Sequence, residues 1–194
     1  MIALYRRLCL VVILFLSILS PAYAAETAVQ DVIVLCYHDV EAGNYTGEIS
    51  NPYSVSQKNL RLHFDLLKRL GFEPISAGQY LEAKQGKAPL PEKAVMLTFD
   101  DGYKSFYTDV LPLLKEFNYP AVLAIVTSWE EVGPPQGVGA IVSWDQIREI
   151  ELSGLVTTAS HSHNMHNFVV NNPFGNRGQE GATLLYTPNG YETR

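Results

Sequence analysis

The chain is predicted to fold as an α/β protein with a parallel sheet, and two observations support this. Segments of strand length recur along the sequence at residues 32–37, 94–99, 121–126 and 155–160, and the first three are predominantly apolar. Segments with the apolar periodicity of a helix lie between them. This alternation is typical of β-α-β units, in which helices cover a parallel sheet. Four strands and four helical stretches fit either a barrel or an open doubly wound sheet.

The first 24 residues have the features of a secretory signal peptide. A pair of arginines precedes an almost wholly apolar run at residues 8–19, and an Ala-Tyr-Ala cleavage pattern follows at 22–24. The apolar run is shorter than the ~20 residues that a membrane-spanning helix needs, which favours cleavage over anchoring. We therefore predict a leader at residues 1–24, one domain at 25–194, and export to the periplasm or cell envelope.

Composition and charge narrow the class of protein and its partners. The apolar fraction is 47% and the charged fraction 18%, which is ordinary for a globular domain and outside the disordered range. The net charge is -6, and removal of the leader with its two arginines would make it -8. The chain has no basic stripe, so we expect no nucleic acid partner. A neutral or cationic polymer suits this charge better than a polyanion.

The first strand and helix are predicted near the start of the domain. Residues 32–37 are continuously apolar, as in a strand buried within a parallel sheet. We accordingly expect Cys36 to be a buried, inert thiol. A polar loop is expected at residues 41–53. Residues 56–70 follow with helical spacing, a serine that can cap the start and a glycine just past the end.

The middle of the chain predicts a second strand between two helical segments. A capping box that begins at Ser76 predicts a short helix to about Lys84. The second strand then ends at an Asp-Asp-Gly sequence. Residues 103–117 return to helical spacing, and Pro112 should kink or split that helix because it lacks a backbone N–H.

The last third of the chain predicts two more strands and one helix. The third strand leads into an irregular loop at residues 129–140 that is rich in glycine and proline. A second capping box, beginning at Ser143, predicts a helix that Gly154 ends. The fourth strand finishes at His161. From Asn171 onward the sequence is polar and shows no clear core segment.

Polar side chains follow three of the predicted strands. His38-Asp39 follow the first strand, Asp100-Asp101 the second, and the histidine-rich segment 161–166 the fourth. In parallel α/β folds, functional groups collect where strands end at their carboxyl edge. We therefore expect these three clusters to lie near one another.

Asp100 and Asp101 allow two interpretations. Asp-Gly is a common turn dipeptide, so the pair could simply mark a turn. Alternatively, two adjacent carboxylates that leave a strand point in different directions, so one can bind a metal ion while its neighbour acts as a base. The residues alone leave both interpretations open.

The segment 161–166 holds three histidines, which favours a metal site. His161 and His166 are five residues apart, and on a helix they would point about 140° away from each other. They can share one ion only if the segment is a loop or bent turn. Pairing of His163 with either of the other two is the alternative. One Asp and two His would suit Zn²⁺ or a similar first-row ion and leave positions for water and substrate.

Two sequence motifs resemble those of the NodB-homology polysaccharide deacetylases, which form carbohydrate esterase family 4. The segment Thr-Phe-Asp-Asp-Gly at 98–102 resembles their first motif, and His161-Ser162 followed by His166 resembles their second. The resemblance extends from about Val32 to the end of the chain. It implies a distorted (β/α) barrel with fewer than eight full units.

The resemblance also implies a role for each matching residue. Asp100 would be the catalytic base, and Asp101, His161 and His166 would bind one divalent metal ion, either Zn²⁺ or Co²⁺, Ni²⁺ or Fe²⁺. His38 is a weaker candidate for contact with substrate.

The five-residue histidine spacing is similar to that of one branch of the family, which deacetylates poly-β-1,6-N-acetyl-D-glucosamine in biofilm matrix. The segments 36–40 and 172–176 also resemble that branch. The implied activity is hydrolytic removal of acetyl groups from an N-acetylglucosamine exopolysaccharide, beside the machinery that synthesises or exports it.

Family members carry later motifs, including a histidine that acts as general acid, and these would lie beyond Arg194. We therefore expect an incomplete barrel that lacks its C-terminal part. Two alternatives follow: a non-catalytic remnant that binds polysaccharide, or a deacetylase of peptidoglycan or chitin.

Overall fold

A parallel β-sheet of five strands organises the fold. The computed structural model describes residues 31–41, 51, 53–179, 185–187 and 190–192. The predicted signal peptide at residues 1–24 and most of the predicted loop at 41–53 lie outside these ranges. Within the described residues, no helix is long and apolar enough to cross a membrane.

The four predicted strands are all present and lie side by side in the sheet. The sheet strands are β1 (Ile33–Tyr37), β4 (Glu73–Pro74), β5 (Ala94–Phe99), β6 (Ala121–Ile125) and β7 (Val156–Ser160). The four predicted strands run in the order β1-β5-β6-β7, and every pairing among them is parallel. The short additional strand β4 pairs with the start of β5. The sheet does not close in the described part of the chain, as expected for an incomplete (β/α) barrel.

Smaller two-stranded sheets flank the main sheet. One is parallel and follows β1 closely, and two are antiparallel and follow β7. They comprise β2 (Asp39–Glu41) with β3 (Ser54–Ser56), β8 (Phe168–Val170) with β9 (Arg177–Gln179), and β10 (Leu185–Thr187) with β11 (Gly190–Glu192). The polar C-terminal segment therefore contains β-hairpin structure that its composition did not predict.

Three of the helices begin at the predicted capping serines. The Ser56 hydroxyl accepts a hydrogen bond from the backbone N–H of Asn59 at 3.2 Å, and Gly71 ends that helix in the left-handed conformation. Full capping boxes open the helices that follow Ser76 and Ser143. The helices are α1 (Gln57–Leu70), α2 (Ala77–Lys84), α3 (Leu111–Phe117), α4 (Thr127–Val132) and α5 (Trp144–Leu152).

The helical segment after β5 runs unbroken over residues 104–117, so Pro112 does not split it, and the irregularity lies in the turn before the proline. Phe106–Val110 form a turn of π-helix, and α3 begins immediately afterwards with Pro112 in its first turn. A missing N–H breaks no helical hydrogen bond at that position. The wider π-helical turn thus leaves room for the proline in the turn that follows it.

The predicted loop at 129–140 is wrong over its first residues, which belong to helix α4. This helix has only six residues, too few for apolar periodicity to reveal it. Packing stabilises it instead, because the Trp129 side chain is buried against the domain. Gly133 ends the helix with a positive φ of 85°.

The hydrophobic core lies between the sheet and helices α1, α3 and α5. Helix α1 buries one face through Leu60, Phe64 and Leu67. Phe99, the last residue of β5, is completely buried and packs edge to face against Phe106 at 5.1 Å. The end of β5 is therefore fixed by core packing immediately before Asp100.

The turn after β5 requires glycine for two reasons. Gly102 has a φ of +82°, and a Cβ there would lie 3.0 Å from Cγ2 of Ile125 on the neighbouring strand. Gly154 has a similar φ of +71°, but a Cβ there would meet no atom within 4 Å. The two glycines share the backbone conformation and differ in the space around them.

We expect Gly154→Ala to lower the free energy of unfolding by about 1–2 kcal/mol, because a side chain disfavours the left-handed conformation. Gly102→Ala should cost a further ~1–3 kcal/mol, because Ile125 is β-branched, lies in a strand and cannot move aside easily. Urea unfolding of both variants measures the difference. Equal losses would show that the Ile125 contact is accommodated.

Candidate metal centre and active site

The carboxyl ends of the parallel strands bring the three predicted polar clusters to one edge of the sheet. The backbone N–H of Asp100 donates to the carbonyl of Tyr37 at the end of β1, at 2.8 Å. The N–H of His161 donates to the carbonyl of Ile125 at the end of β6, also at 2.8 Å. These hydrogen bonds continue the sheet by one residue beyond the strands. The site residues therefore start from backbone that the sheet holds rigidly.

Asp101 lies at the centre of this edge. Its φ is +73°, and its side chain is buried, with 5% exposed. Its Oδ1 atom lies 3.5 Å from Nε2 of His161 and 3.4 Å from Nε2 of His166. The Asp-Gly turn interpretation and the metal interpretation are therefore compatible, because the turn itself directs this carboxylate towards the two imidazoles.

His161 and His166 converge because the segment between them is not helical. Ser162 has a positive φ of 72°, which reverses the chain after β7. The two rings lie 5.2 Å apart, and the His166 ring packs edge to face on Trp129 at 5.3 Å. The bent turn thus places two histidines five residues apart on one side of Asp101.

His163 points away from this cluster. Its Nδ1 atom lies 2.9 Å from the hydroxyl of Thr127 at the start of α4. The N–H groups of Thr127 and Ser128 donate to the carbonyls of Ser162 and His163. The first turn of α4 thus holds the histidine loop in place, and both alternative histidine pairs are excluded as partners of Asp101 in this conformation.

The donor atoms around Asp101 fit a divalent metal ion. Oδ1 of Asp101 is fully buried and receives no hydrogen bond in the described part of the chain, which is costly for a carboxylate oxygen. A cation would compensate that cost. Tetrahedral ligation by nitrogen and oxygen at ~2.0–2.1 Å separates the ligand atoms by about 3.3–3.4 Å. The separations of 3.4 and 3.5 Å therefore need almost no adjustment.

Asp100 turns to the other side of the strand end, towards β1. It is half-buried, and its Oδ2 atom accepts a hydrogen bond from the Cys36 thiol at 3.4 Å. His38 is also half-buried and lies beside both residues: one donor atom from each of the three lies within 4.8 Å of the others. The His38 ring packs against Tyr53 at 5.5 Å. The adjacent carboxylates therefore face different surroundings.

Cys36 is exposed, so the prediction of a buried, inert thiol was wrong. The strand β1 lies at the edge of the sheet and pairs only with β5 among the described strands, so part of its surface is uncovered. Apolar composition alone did not distinguish an edge strand from a central one. Partial desolvation raises the pKa of the Cys36 thiol, and the nearby Asp100 carboxylate raises it further. The thiol therefore stays protonated and can donate to Asp100.

Asp39, the second member of the first predicted cluster, has a structural role. Its Oδ1 accepts hydrogen bonds from the Ser105 hydroxyl at 2.7 Å and from the Val40 N–H at 2.9 Å. Its Oδ2 accepts from the Ser54 hydroxyl at 3.0 Å. These bonds connect β2 to β3 and to the segment that follows the Asp-Asp-Gly turn.

Two aromatic residues support the site and were not identified from the sequence. Tyr103 is buried beside the turn, and burial, followed by the charges of Asp101 and Asp39, raises the pKa of its phenol to about 12. It therefore stays neutral at physiological pH. Trp129 packs on His166 from a helix that was predicted as loop. Their position directly after a strand end was the only signal that could have indicated them.

Comparison with known proteins shows that the predicted metal ligands and base lie in a segment that matches a protein family. The family model described as polysaccharide deacetylase matches residues 87–182. This range contains Asp100, Asp101, His161 and His166, whereas His38 precedes it.

Three similar proteins carry related names. The poly-beta-1,6-N-acetyl-D-glucosamine N-deacetylase of Escherichia coli K12 is 45% identical in an alignment 122 positions long, which covers 58% of this chain and 18% of that protein. The chain therefore spans only a small part of this curated relative. A de-N-acetylase structure from Aggregatibacter actinomycetemcomitans superposes with a TM-score of 0.76 at 39% identity, over 84% of this chain and 66% of that one. The BpsB deacetylase domain from Bordetella bronchiseptica gives 0.66 at 36% identity, over 85% and 68%.

The distinction between the histidines predicts their effects on metal affinity. We expect His166→Ala to weaken Zn²⁺ binding at least tenfold, since even loss of a hydrogen bond to a ligand costs about 10–100-fold in metal affinity. His163→Ala should change the affinity little and serves as the matched control. Calorimetric titration of the metal-free proteins measures both, and equal losses in the two variants would contradict the assignment.

Proposed function

This chain belongs to the polysaccharide deacetylase family, and we propose that it hydrolyses the acetamide groups of N-acetylglucosamine units in a poly-β-1,6-linked exopolysaccharide. The name of the E. coli relative supports this substrate. The two similar deacetylase structures support the reaction. The products are acetate and a polymer with free amino groups, as in the maturation of biofilm matrix.

One observation carries this proposal. The buried Oδ1 atom of Asp101 receives no hydrogen bond in the described region and faces Nε2 of His161 and His166 at 3.5 and 3.4 Å. A second carboxylate, that of Asp100, lies directly beside it in the chain. A metal site with a second carboxylate beside it can support metal-assisted hydrolysis of an amide.

Asp101, His161 and His166 would hold one divalent ion, with Zn²⁺, Co²⁺, Ni²⁺ and Fe²⁺ as the candidates. Such an ion, when bound, polarises a carbonyl oxygen and lowers the pKa of a bound water molecule. Three protein ligands leave the remaining positions open to water and substrate. Their positions on strand ends and on the loop held by α4 keep the three donor atoms preorganised.

Asp100 would act as the general base. Its carboxylate lies next to the metal ligands in sequence but faces β1, so it stays available to take a proton from the attacking water. The thiol of Cys36 donates a hydrogen bond to one of its oxygens and so orients the carboxylate. His38, half-buried beside Asp100, would contact the sugar.

The charge of the chain suits the product of this reaction. Deacetylation converts neutral acetamide groups into ammonium groups, and the chain carries a net charge of -6. Electrostatic attraction would keep the partly deacetylated polymer near the protein. The predicted leader agrees with a site of action in the periplasm or cell envelope, next to polysaccharide synthesis or export.

The direct test is release of acetate from β-1,6-linked N-acetylglucosamine oligomers by the purified protein. We expect no release after chelation and recovery when Zn²⁺, Co²⁺ or Ni²⁺ is added back. Asp100→Asn should reduce the rate by about 10²–10⁴-fold, the usual contribution of a general base, without reducing affinity for the ion held by Asp101, His161 and His166. The matched control is His163→Ala, which leaves the metal ligands and the base intact.

Parallel assays with β-1,4-linked chitin oligomers and with peptidoglycan test the substrate. Faster release from either of them would replace the proposed substrate and keep the reaction. Absence of release from every substrate by folded, metal-loaded protein would contradict the proposal of turnover and favour a polysaccharide-binding role.

A further inference from the structure

A second group of possible metal ligands lies beside the first and shares no residue with it. Cys36, His38 and Asp100 offer one sulfur, one imidazole nitrogen and one carboxylate oxygen, all within 4.8 Å of one another. The proposed deacetylation uses Asp100 as a base and does not require the thiol. The combination of a thiol with an imidazole and a carboxylate therefore calls for a separate interpretation.

The backbone preorganises this group. Cys36 and His38 are two residues apart in an extended segment, so their side chains lie on the same side of the strand. The β1–β5 register pairs Tyr37 with Phe99, and the Asp100 N–H donates to the Tyr37 carbonyl at 2.8 Å. The three side chains thus start from two hydrogen-bonded strand ends, and none of them depends on a flexible loop.

The distances and the donor types fit a thiophilic divalent ion. Tetrahedral ligation by sulfur at ~2.3 Å and oxygen at ~2.0 Å separates those atoms by about 3.5 Å. The observed separation between Cys36 Sγ and Asp100 Oδ2 is 3.4 Å. Thiolate ligands select Zn²⁺ and softer ions over Mg²⁺ or Mn²⁺. The exposure of Cys36 gives such an ion a route of entry from solvent.

We propose that Cys36, His38 and Asp100 form a second cation site, specific for thiophilic ions such as Zn²⁺ or Cd²⁺, whose occupation inhibits the protein. Binding replaces the thiol S–H bond by a sulfur–metal bond, and the proton passes to solvent. An ion held there coordinates Asp100 and removes it as a proton acceptor. The inhibition rests on the proposed deacetylation, whereas the binding does not.

Cobalt titration tests the binding separately from any activity. A thiolate bound to Co²⁺ gives a near-ultraviolet charge-transfer absorption, which ligation by Asp101, His161 and His166 cannot give. In the metal-free, reduced protein we expect one equivalent of Co²⁺ to bind without this absorption. A second, weaker equivalent should then produce it. Absence of the absorption at saturating Co²⁺ would overturn the proposal.

Replacement of the thiol tests the assignment directly, and His163 supplies the control because its side chain points away from both groups of ligands. We expect Cys36→Ser to abolish the charge-transfer absorption and His163→Ala to retain it. Asp101→Ala should weaken the first equivalent and keep the absorption, since that residue lies outside the second site. Persistence of the absorption in Cys36→Ser, or its loss in Asp101→Ala with the fold intact by circular dichroism, would contradict the assignment.

The activity assay tests the consequence. Zn²⁺ beyond one equivalent should inhibit acetate release, whereas Mn²⁺ at the same excess should not. In Cys36→Ser, measured against its own rate at one equivalent, the inhibitory Zn²⁺ concentration should rise at least tenfold, since a ligand is lost. An unchanged inhibitory concentration would overturn the regulatory role. If neither the unmodified protein nor Cys36→Ser releases acetate, the proposed function fails. The cobalt titration still decides whether Cys36, His38 and Asp100 bind a cation.

Discussion

The turn at Asp101-Gly102 is the constraint on which the candidate site depends. Both residues have a positive φ, and the turn follows a strand whose last residue, Phe99, is fixed in the core. The glycine permits close approach to Ile125, and the aspartate conformation directs a carboxylate into a buried position between two histidines. A left-handed aspartate costs free energy that the surrounding packing must supply. The polypeptide thus buries a carboxylate oxygen that receives no hydrogen bond from the residues that the structure describes.

The sequence predicted the secondary structure best where one physical signal dominated. The strands β1, β5 and β6 were predominantly apolar runs, and two helices began at capping boxes whose hydrogen bonds are both present at Ser76 and Ser143. Pro112 marked the irregular part of its helix, because a turn of π-helix lies directly before it. The convergence of Asp101 with His161 and His166 agreed with the residues chosen from the motifs, although their roles remain proposals.

Features that depend on tertiary context escaped sequence analysis. Helix α4 is stabilised by burial of Trp129, and its six residues are too few for an apolar periodicity to predict it. The exposure of Cys36 follows from the edge position of β1, and strand order is a long-range property. The choice among three histidines depended on a positive φ at Ser162 and on hydrogen bonds from Thr127 and Ser128. The packing of Trp129, the strand order and the hydrogen bonds from Thr127 and Ser128 all join parts of the chain that local sequence patterns treat separately.

The position of the ligand-bearing strands has a consequence for local stability. Asp101 follows the central strand β5, whereas His161 follows β7, which is at an edge of the sheet among the described strands. Edge elements open locally at a lower free energy than global unfolding, so hydrogen exchange should be faster in β7 than in β5. An ion that binds both strand ends exists only in the closed state and stabilises it by mass action. The metal would therefore hold the two strand ends together. It would slow hydrogen exchange most in β7, at the edge of the sheet.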